Sequence, residues 1–250
     1  MVMQTLPASS MRQSAREDGR NMALEPELQR LQSEVWALGR IVESALLESI
    51  EVLQRRSPPA AESLIIIDHE ISRKRFSIEM DCLSLIVAQQ PLDGDLRAIA
   101  SILEIVSDLE HIGRYITDIA RVHVVMAKLE EPLSGLLSAI HRMATTTQAM
   151  LHRALEAFAQ RDIALAQAVH SDDSEVDVLY RQIYEQVLGF MKGESRAVVK
   201  QARYLAQIVR NLERTADRVT NICEWVIFAA TGKMIDTGEN PVEMCCEEQT

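Results

Sequence analysis

Four side chains with oxygen donors follow one another along one helical segment in the last quarter of the chain. They are Glu213, Asp217, Asn221 and Glu224, at steps of four, four and three residues. Residues three and four positions apart share one side of an α-helix, so this spacing predicts a polar ridge beside the apolar stripe of the same helix. Hard cations prefer converging oxygen ligands of this kind. A neighbouring helix could add further ligands at this border.

An earlier segment carries a similar ridge in which the signs of the charges alternate. Its members are Glu110, Arg114, Asp118 and Arg121. Glu110 and Arg114 are spaced for an i,i+4 ion pair, which contributes about 0.3 to 0.5 kcal/mol when exposed. The simplest interpretation is a solvated helix face that needs no ion. The repetition of the pattern, more than either ridge alone, favours a metal site.

Catalytic motifs are missing from the sequence. It contains no G-x-x-x-x-G-K-[ST] or G-x-G-x-x-G segment for nucleotide phosphates. The six histidines are scattered, and none completes the E-x-x-H motif of di-iron bundle enzymes. Candidate nucleophiles lack an adjacent base. We therefore expect a protein that is not an enzyme.

The composition favours long helices. Hydrophobic residues make up 47% of the 250 positions, and only 9 Gly and 7 Pro are present to form turns. Apolar residues recur every three or four positions through most of the chain, as helices that bury one stripe require. The sequence therefore predicts an all-α protein of six long helices. The predicted ranges are about 28–56, 60–89, 96–122, 133–159, 163–191 and 195–230.

The charge and the termini indicate where the protein works. A formal net charge of −11 argues against nucleic-acid binding, which requires clustered basic residues. No stretch reaches the roughly 18 apolar residues of a membrane span, and no signal peptide is recognisable. We expect a cytoplasmic protein with residues 1–25 as a disordered leader and 233–250 as a flexible tail. The vicinal Cys245 and Cys246 in that tail are given no role.

The chain contains an internal duplication. The segment 109–114 matches 212–217 at a shift of 103 residues, and 68–71 matches 173–176 at a shift of 105. A shorter loop before the last helix of the second copy accounts for the difference. The sequence thus predicts two antiparallel three-helix bundles, residues 26–130 and 131–232.

These segments resemble the PhoU family, whose repeats each carry a D/N-L-E-R-I-G-D-x-x-x-N-I-like helix. Residues 107–114 (SDLEHIGR) and 211–222 (NLERTADRVTNI) are similar to that helix. Residues 90–97 (QPLDGDLR) are similar to the Q-P-V-A-x-D-L-R turn of the family. Residues 224–228 (EWVIF) with Thr231-Gly232 are similar to its E-W-V-I-Y and T-G ending. The resemblance extends over about residues 27 to 233.

The resemblance implies a fold and a function. It implies two three-helix bundles, a homodimer and acidic motifs that hold metal ions in some members, with iron or zinc as the first candidates and magnesium as another. It also implies negative regulation of the phosphate-starvation response. The implied partners are the ATPase subunit of the phosphate ABC transporter and the sensor histidine kinase, so contact with the membrane would be peripheral and through those partners.

One residue departs from the family pattern. Arg114 stands where the first motif should end in a carboxylate, and its charge repels a metal ion. We therefore expect any metal on the second repeat, at Glu213, Asp217 and Asn221 with Asp173 and Asp177 from the preceding helix. A first-repeat site at Glu110, Asp118 and Asp68 would be weakened or closed.

Two alternatives to a phosphate regulator remain open from the sequence. One is a carboxylate-rich metal-binding bundle with no signalling role. The other is a PhoU-like domain that serves a different transporter.

Overall fold

Six long α-helices make up the computed structural model, which describes residues 8–55, 58–127, 134–192 and 195–234. No strand is present within these ranges. The prediction of an all-α fold with six helices is confirmed. The helices are α1 (Ala8–Arg55), α2 (Pro58–Gln89), α3 (Asp93–Met126), α4 (Ser134–Gln160), α5 (Ile163–Met191) and α6 (Arg196–Thr231).

The helices pack as two similar sets of three. In the first set, α1, α2 and α3 all contact one another, and α4, α5 and α6 do so in the second. The sets join through two helix pairs, α1 with α4 and α3 with α6. Among the described residues, α2 and α5 contact only helices of their own set. These two helices therefore form the outer edges of the molecule.

Aliphatic side chains fill the space between the helices. On α6, Leu205, Leu212, Val219 and Ile222 are fully buried at helical spacing. Burying one such side chain stabilises the fold by about 1.5 to 3 kcal/mol. The buried stripe of each helix thus fixes which side faces the core and, by exclusion, where its polar residues lie.

Capping residues mark the starts of α5 and α6 and the end of α6. Asp162 caps α5 by accepting a hydrogen bond from the Leu165 N–H at 3.0 Å, and Ser195 caps α6 in the same way through the Val198 N–H. Gly232 ends α6 with φ 73°, a left-handed conformation that glycine adopts without strain. These caps fix the start of α5 and both ends of α6, the two helices that carry the predicted metal ligands of the second repeat.

Two glycines let helices approach closely. A Cβ atom at Gly39 of α1 would lie 2.5 Å from Cδ1 of Leu155 on α4. A Cβ atom at Gly113 of α3 would lie 2.8 Å from Cδ1 of Ile71 on α2. Real Cβ atoms do not come this close to neighbours, so both contacts depend on the missing side chain.

The start of α1 differs from the prediction. The helix begins at Ala8, well before Leu28, and continues through Pro26. The added residues are rich in Ala, Met, Arg and Glu, which extend a helix that packing has nucleated further along. Leu24 is the first buried residue among the side chains of α1 that the structure describes, close to the predicted start of the apolar stripe.

The other predicted helix ends agree closely with the structure, and α5 spans its predicted range. The described residues do not include 1–7 of the predicted leader or 235–250 of the predicted tail. They also do not include residues 128–133 between α3 and α4. None of the described helices is long and apolar enough to cross a membrane.

Candidate functional site

Four carboxylates gather where α5 and α6 pack together. Asp173 and Asp177 stand one turn apart on α5, and Glu213 and Asp217 stand one turn apart on α6. The side chain of each is partly or largely exposed, at the border between the packed stripe and the surface. We call these four residues the acidic cluster. The two helices that position them are in contact along their length.

Burial and mutual repulsion raise the pKa values within the acidic cluster. The pKa of Asp173 rises to about 6, first because burial disfavours its charged form and then because Asp177 and Asp217 repel it. The pKa of Glu213 is raised by burial and by Asp217 and Asp177. The pKa of Asp217 is raised by burial and by Asp177. The four side chains therefore lie close enough to act on one another electrostatically.

The acidic cluster has no paired cation. In the described part of the chain, none of its four carboxylates forms an ion pair or accepts a side-chain hydrogen bond. Arg210 and Arg214 lower the pKa of Glu213 only from a distance. Arg218 and Arg214 likewise lower the pKa of Asp217, and His170 lowers that of Asp173, without pairing with them. Oxygen donors that carry like charges and have no directly paired cation have the donor chemistry that suits a hard cation.

The four side chains do not converge on one point as they are placed. Throughout residues 8–55, 58–127, 134–192 and 195–234, no three His, Cys, Asp or Glu side chains lie close enough to hold a metal ion. Like charges turn away from one another in water, since separation lowers their repulsion. Holding a metal at the acidic cluster would therefore require side-chain rotation on α5 and α6.

Asn221 belongs to a different contact from the rest of its predicted set. Its side chain lies near Asp108 of α3 and favours the charged form of that carboxyl group, and Asp108 also pairs with Arg218 of α6 at 3.2 Å. Burial raises the pKa of Asp108 to about 6, against the opposing effect of Arg218. Tyr115 lies near Arg218 and, with Asp108, raises the pKa of the guanidinium group. This polar contact ties the two repeats together, and the spacing of the ridge did not indicate that its members would face two different neighbouring helices.

At the predicted first-repeat site, Glu110 is buried and paired with arginine. Glu110 is 5% exposed and accepts hydrogen bonds from Ser72 Oγ at 2.8 Å and Arg114 Nη2 at 2.9 Å. Arg75 Nε lies 3.3 Å from the same carboxylate. The expectation of a solvated Glu110 on an open helix face was wrong, because α2 covers it and supplies Ser72 and Arg75. The Glu110–Arg114 pair itself is present as the spacing predicted.

The other two residues expected at the first site do not share the contacts of Glu110. Asp118 pairs with Arg121 at 3.0 Å on the exposed side of α3. Asp68 on α2 has a buried Oδ1 atom that lacks a hydrogen-bond partner among the described residues. Asp118 and Glu110 are thus each neutralised by arginine, which leaves the acidic cluster of the second repeat as the candidate site.

A buried polar contact between α1 and α4 was not predicted from the sequence. Glu43 is 5% exposed and accepts hydrogen bonds from Gln148 of α4 and from Arg40 at 2.7 Å. His152 Nδ1 lies 3.3 Å from the same carboxylate. Glu43 stands among apolar stripe residues of α1, and its acidic type within that stripe was the available signal.

Comparison with known proteins identifies the family to which both repeats are similar. The sequence model of the PhoU domain matches residues 35–122 and 140–226. A protein of Clostridium acetobutylicum named phosphate-specific transport system accessory protein PhoU homolog is 32% identical over 216 residues, covering 86% of this chain and 97% of its own. The Escherichia coli protein named phosphate-specific transport system accessory protein PhoU is 30% identical over 209 residues, covering 83% and 85%.

Solved structures agree with these sequence matches. The phosphate transport system regulatory protein PhoU of Streptococcus pneumoniae superposes with a TM-score of 0.77 at 28% identity, over 85% of this chain and 99% of that one. PhoU of Pseudomonas aeruginosa superposes with a TM-score of 0.79 at 29% identity, over 84% and 99%. Nearly the whole of each solved chain therefore has a counterpart here.

Proposed function

This chain belongs to the PhoU family, and from that membership we propose that it is a non-enzymatic accessory regulator of phosphate transport which restrains the phosphate-starvation response. The observation that carries the proposal is the match of the family model to both three-helix repeats. Relatives that cover most of the chain bear names that assign them to phosphate-specific transport. A helical scaffold without a recognisable catalytic motif suits regulation by contact with other proteins.

The proposed partners are the ATPase subunit of the phosphate ABC transporter and a sensor histidine kinase. In this proposal the protein works in the cytoplasm as a homodimer and reaches the membrane only through those partners. It relays the state of the transporter to the kinase when phosphate is plentiful. The long exposed faces of α2, α5 and α6 offer the surface that such contacts need.

We also propose a regulatory metal ion at the acidic cluster. Asp173, Asp177, Glu213 and Asp217 would hold it. Their oxygen donors suit a hard cation, and the resemblance to the family puts iron or zinc first, with magnesium as another candidate. The metal would draw α5 and α6 together by neutralising their mutual repulsion. The unpaired charges and raised pKa values of the cluster support this assignment.

Alkaline phosphatase activity in phosphate-rich medium tests the regulatory role. Deleting the gene for this chain from its host should raise the activity, and restoring the wild-type gene should silence it. Low activity after deletion, in a host without a second copy of the family, would contradict the proposal.

The same assay with variants tests the metal site. A Glu213→Ala/Asp217→Ala gene should restore silencing poorly if the acidic cluster is needed. A Glu175→Ala/Glu185→Ala gene is the matched control, because both of those glutamates are exposed on α5 and lie outside the cluster. Equal silencing by both variants would remove the acidic cluster from the mechanism.

A metal-binding bundle without a signalling role is the second candidate function, and the unpaired acidic cluster is the observation that favours it. Elemental analysis of the purified protein separates the two candidates. Bound metal that is lost in the Glu213→Ala/Asp217→Ala variant, together with an unchanged phosphatase response on deletion, would support the second candidate.

A further inference from the structure

The outer face of α2 exposes large apolar side chains in a regular order. Phe76, Met80, Leu83 and Val87 are 60%, 45%, 49% and 79% exposed, and they follow one another at steps of four, three and four residues. Ile66 continues the line towards the N-terminus of the helix and is 68% exposed. We call the first four residues the α2 seam. Alternating steps of three and four are the spacing by which two helices pack as a coiled coil.

The seam is additional to the face that α2 already buries. Ile71, Ile78, Cys82 and Leu85 pack inward against α1 and α3, which are the helices that α2 contacts in the described residues. A surface helix ordinarily places charged residues on the side away from its core. Between residue 76 and residue 90, just after the end of α2, all the exposed residues are uncharged. They are Phe76, Ser77, Met80, Leu83, Ser84, Val87, Ala88 and Gln90.

The second repeat shows that the fold itself does not require this apolar face. At the shift of 105 residues that relates α2 to α5, the seam positions become Arg181, Glu185, Leu188 and Lys192, all exposed. The same edge of the same three-helix unit therefore carries charged residues at three of the four positions in one repeat and apolar residues at all four in the other. An exposed apolar patch on one repeat, at positions where the other repeat has mostly charged residues, indicates an interaction site.

We propose that the α2 seam binds the α2 seam of a second copy of this chain, with the two helices antiparallel about a twofold axis that passes between Met80 and Leu83. This inference deepens the homodimer in the proposed function by assigning it a surface. In a twofold interface each residue meets its counterpart reciprocally. Phe76 of one copy then lies opposite Val87 of the other, and Met80 lies opposite Leu83.

The sizes and charges along the helix favour a second copy as the occupant. The antiparallel register pairs the largest seam residue, Phe76, with the smallest, Val87. Ser77 and Ser84 flank the seam and let two backbones approach closely. In this register the exposed Arg73 of one copy lies opposite the exposed, uncharged Gln90 of the other, so Arg73 meets no like charge.

The exposed apolar surface beyond the seam enlarges the contact. Leu92 and Leu96 are 73% and 44% exposed just after the C-terminus of α2. In the antiparallel pair this region of one copy lies near the N-terminal half of α2 in the other, which carries Ile66. A specific interface buries about 1,200 Å² or more in total, and the seam with these flanking residues offers an apolar centre for one of that size.

The mass of the purified full chain in solution tests the proposal. Light scattering after size-exclusion chromatography, at loading concentrations from about 1 to 100 µM, should show a dimer. Leu83→Glu should make it monomeric at concentrations where the wild type is dimeric, because each dimer would bury two charges beside the axis. Leu188→Glu is the matched control: Leu188 is the α5 counterpart of Leu83, is 38% exposed, and should leave the dimer intact.

Val87→Glu provides a second variant at the most exposed seam position, in case Leu83→Glu perturbs folding. Circular dichroism melts establish that each variant is folded. A wild-type chain that is monomeric throughout would overturn the proposal and leave the seam to a helix of another protein. A dimer that survives both substitutions would overturn it as well.

Disulfide cross-linking tests the antiparallel register. In a Cys245→Ser/Cys246→Ser background, a Phe76→Cys chain mixed with a Val87→Cys chain should form a mixed disulfide on mild oxidation. Phe76→Cys alone should cross-link at least tenfold more slowly. Rapid Phe76–Phe76 cross-linking would indicate parallel helices and contradict the register. These measurements need no phosphatase assay, so their failure and failure of the proposed function are separate results.

Discussion

At the scale of single residues, the acidic cluster and the Asp108–Arg218 pair show two different uses of partly buried charge. The cluster keeps like charges together without a directly paired cation. Burial, together with this repulsion, raises the pKa of Asp173 to about 6. Asp108 has a partner, yet burial raises its pKa to about 6 as well. Both arrangements make the stability of the fold depend on pH between the ordinary carboxyl pKa and 6.

Removing one charge from the cluster should stabilise the protein. A carboxyl group whose pKa is raised on folding binds protons more tightly in the native state, so stability falls as pH rises from about 4 to 6. Asp173→Asn should therefore raise the free energy of unfolding at pH 7, by on the order of 1 kcal/mol because solvent screens this half-exposed site. Urea denaturation at pH 7 and pH 5 measures this, and the gain should shrink at pH 5.

Glu175→Gln is the control for that substitution, since Glu175 is exposed on α5 outside the cluster. It should change stability little at either pH. If metal-free Asp173→Asn protein is less stable than the wild type at pH 7, the electrostatic account of the cluster is wrong.

Removing the partner of Asp108 should destabilise the protein. Arg218→Ala leaves a carboxylate that is 8% exposed without its ion pair, at a cost of about 2 kcal/mol, less than for a fully buried pair because Arg218 is itself one-third exposed. The loss should diminish below about pH 6 as Asp108 takes up a proton. Chemical denaturation across this pH range measures the effect.

The double variant Asp108→Asn/Arg218→Ala checks the cause. It should recover part of the lost stability, because the remaining amide carries no charge to bury. A double variant less stable than Arg218→Ala would show that Asp108 contributes by some means other than its charge.

At the scale of helices, the sequence predicted the range of each helix better than it predicted which side chains of different helices meet. Five of the six helices, all but α1, lie close to their predicted ranges because the three-and-four spacing of apolar residues marks each buried stripe directly. The same spacing placed Glu213 and Asp217 beside a partner helix. It could not show that α2 buries Glu110 or that α3 takes Asn221, since those contacts depend on how helices turn towards one another.

The close approach of α1 and α4 depends on Gly39. Gly39→Val should reduce the free energy of unfolding by about 2 kcal/mol, because its side chain would overlap Leu155 in a filled core. Thermal or urea denaturation measures the change. Adding Leu155→Ala should remove the clash, so the double variant should lose less stability than the separate effects predict; strict additivity would contradict the packing account.

At the scale of the whole molecule, the two repeats share one core. The contacts of α1 with α4 and α3 with α6 bury faces that neither repeat could cover alone. The internal match of the sequence predicted the duplication, since repeated motifs are visible in one chain. It did not predict which helices join the repeats, because buried contacts such as Glu43 with Gln148 have no spacing signature.

Separated repeats should therefore be unstable. Chains covering residues 8–127 and 134–234, made individually, should show low helicity or aggregate, and mixing them should restore cooperative melting by circular dichroism. A first repeat that melts cooperatively as a monomer, at a temperature near that of the full chain, would show that the shared core is dispensable.

The contrast between the outer faces of α2 and α5 also limits how far assembly can proceed. If only one repeat carries a self-association surface, that surface is buried once two molecules pair. Assembly then stops at two copies. Had Arg181, Glu185 and Lys192 kept the apolar types of their α2 counterparts, each molecule would offer two adhesive edges. Copies could then add end to end without closure, as an open filament. In the proposed dimer, the charged face of α5 would therefore end assembly at two copies.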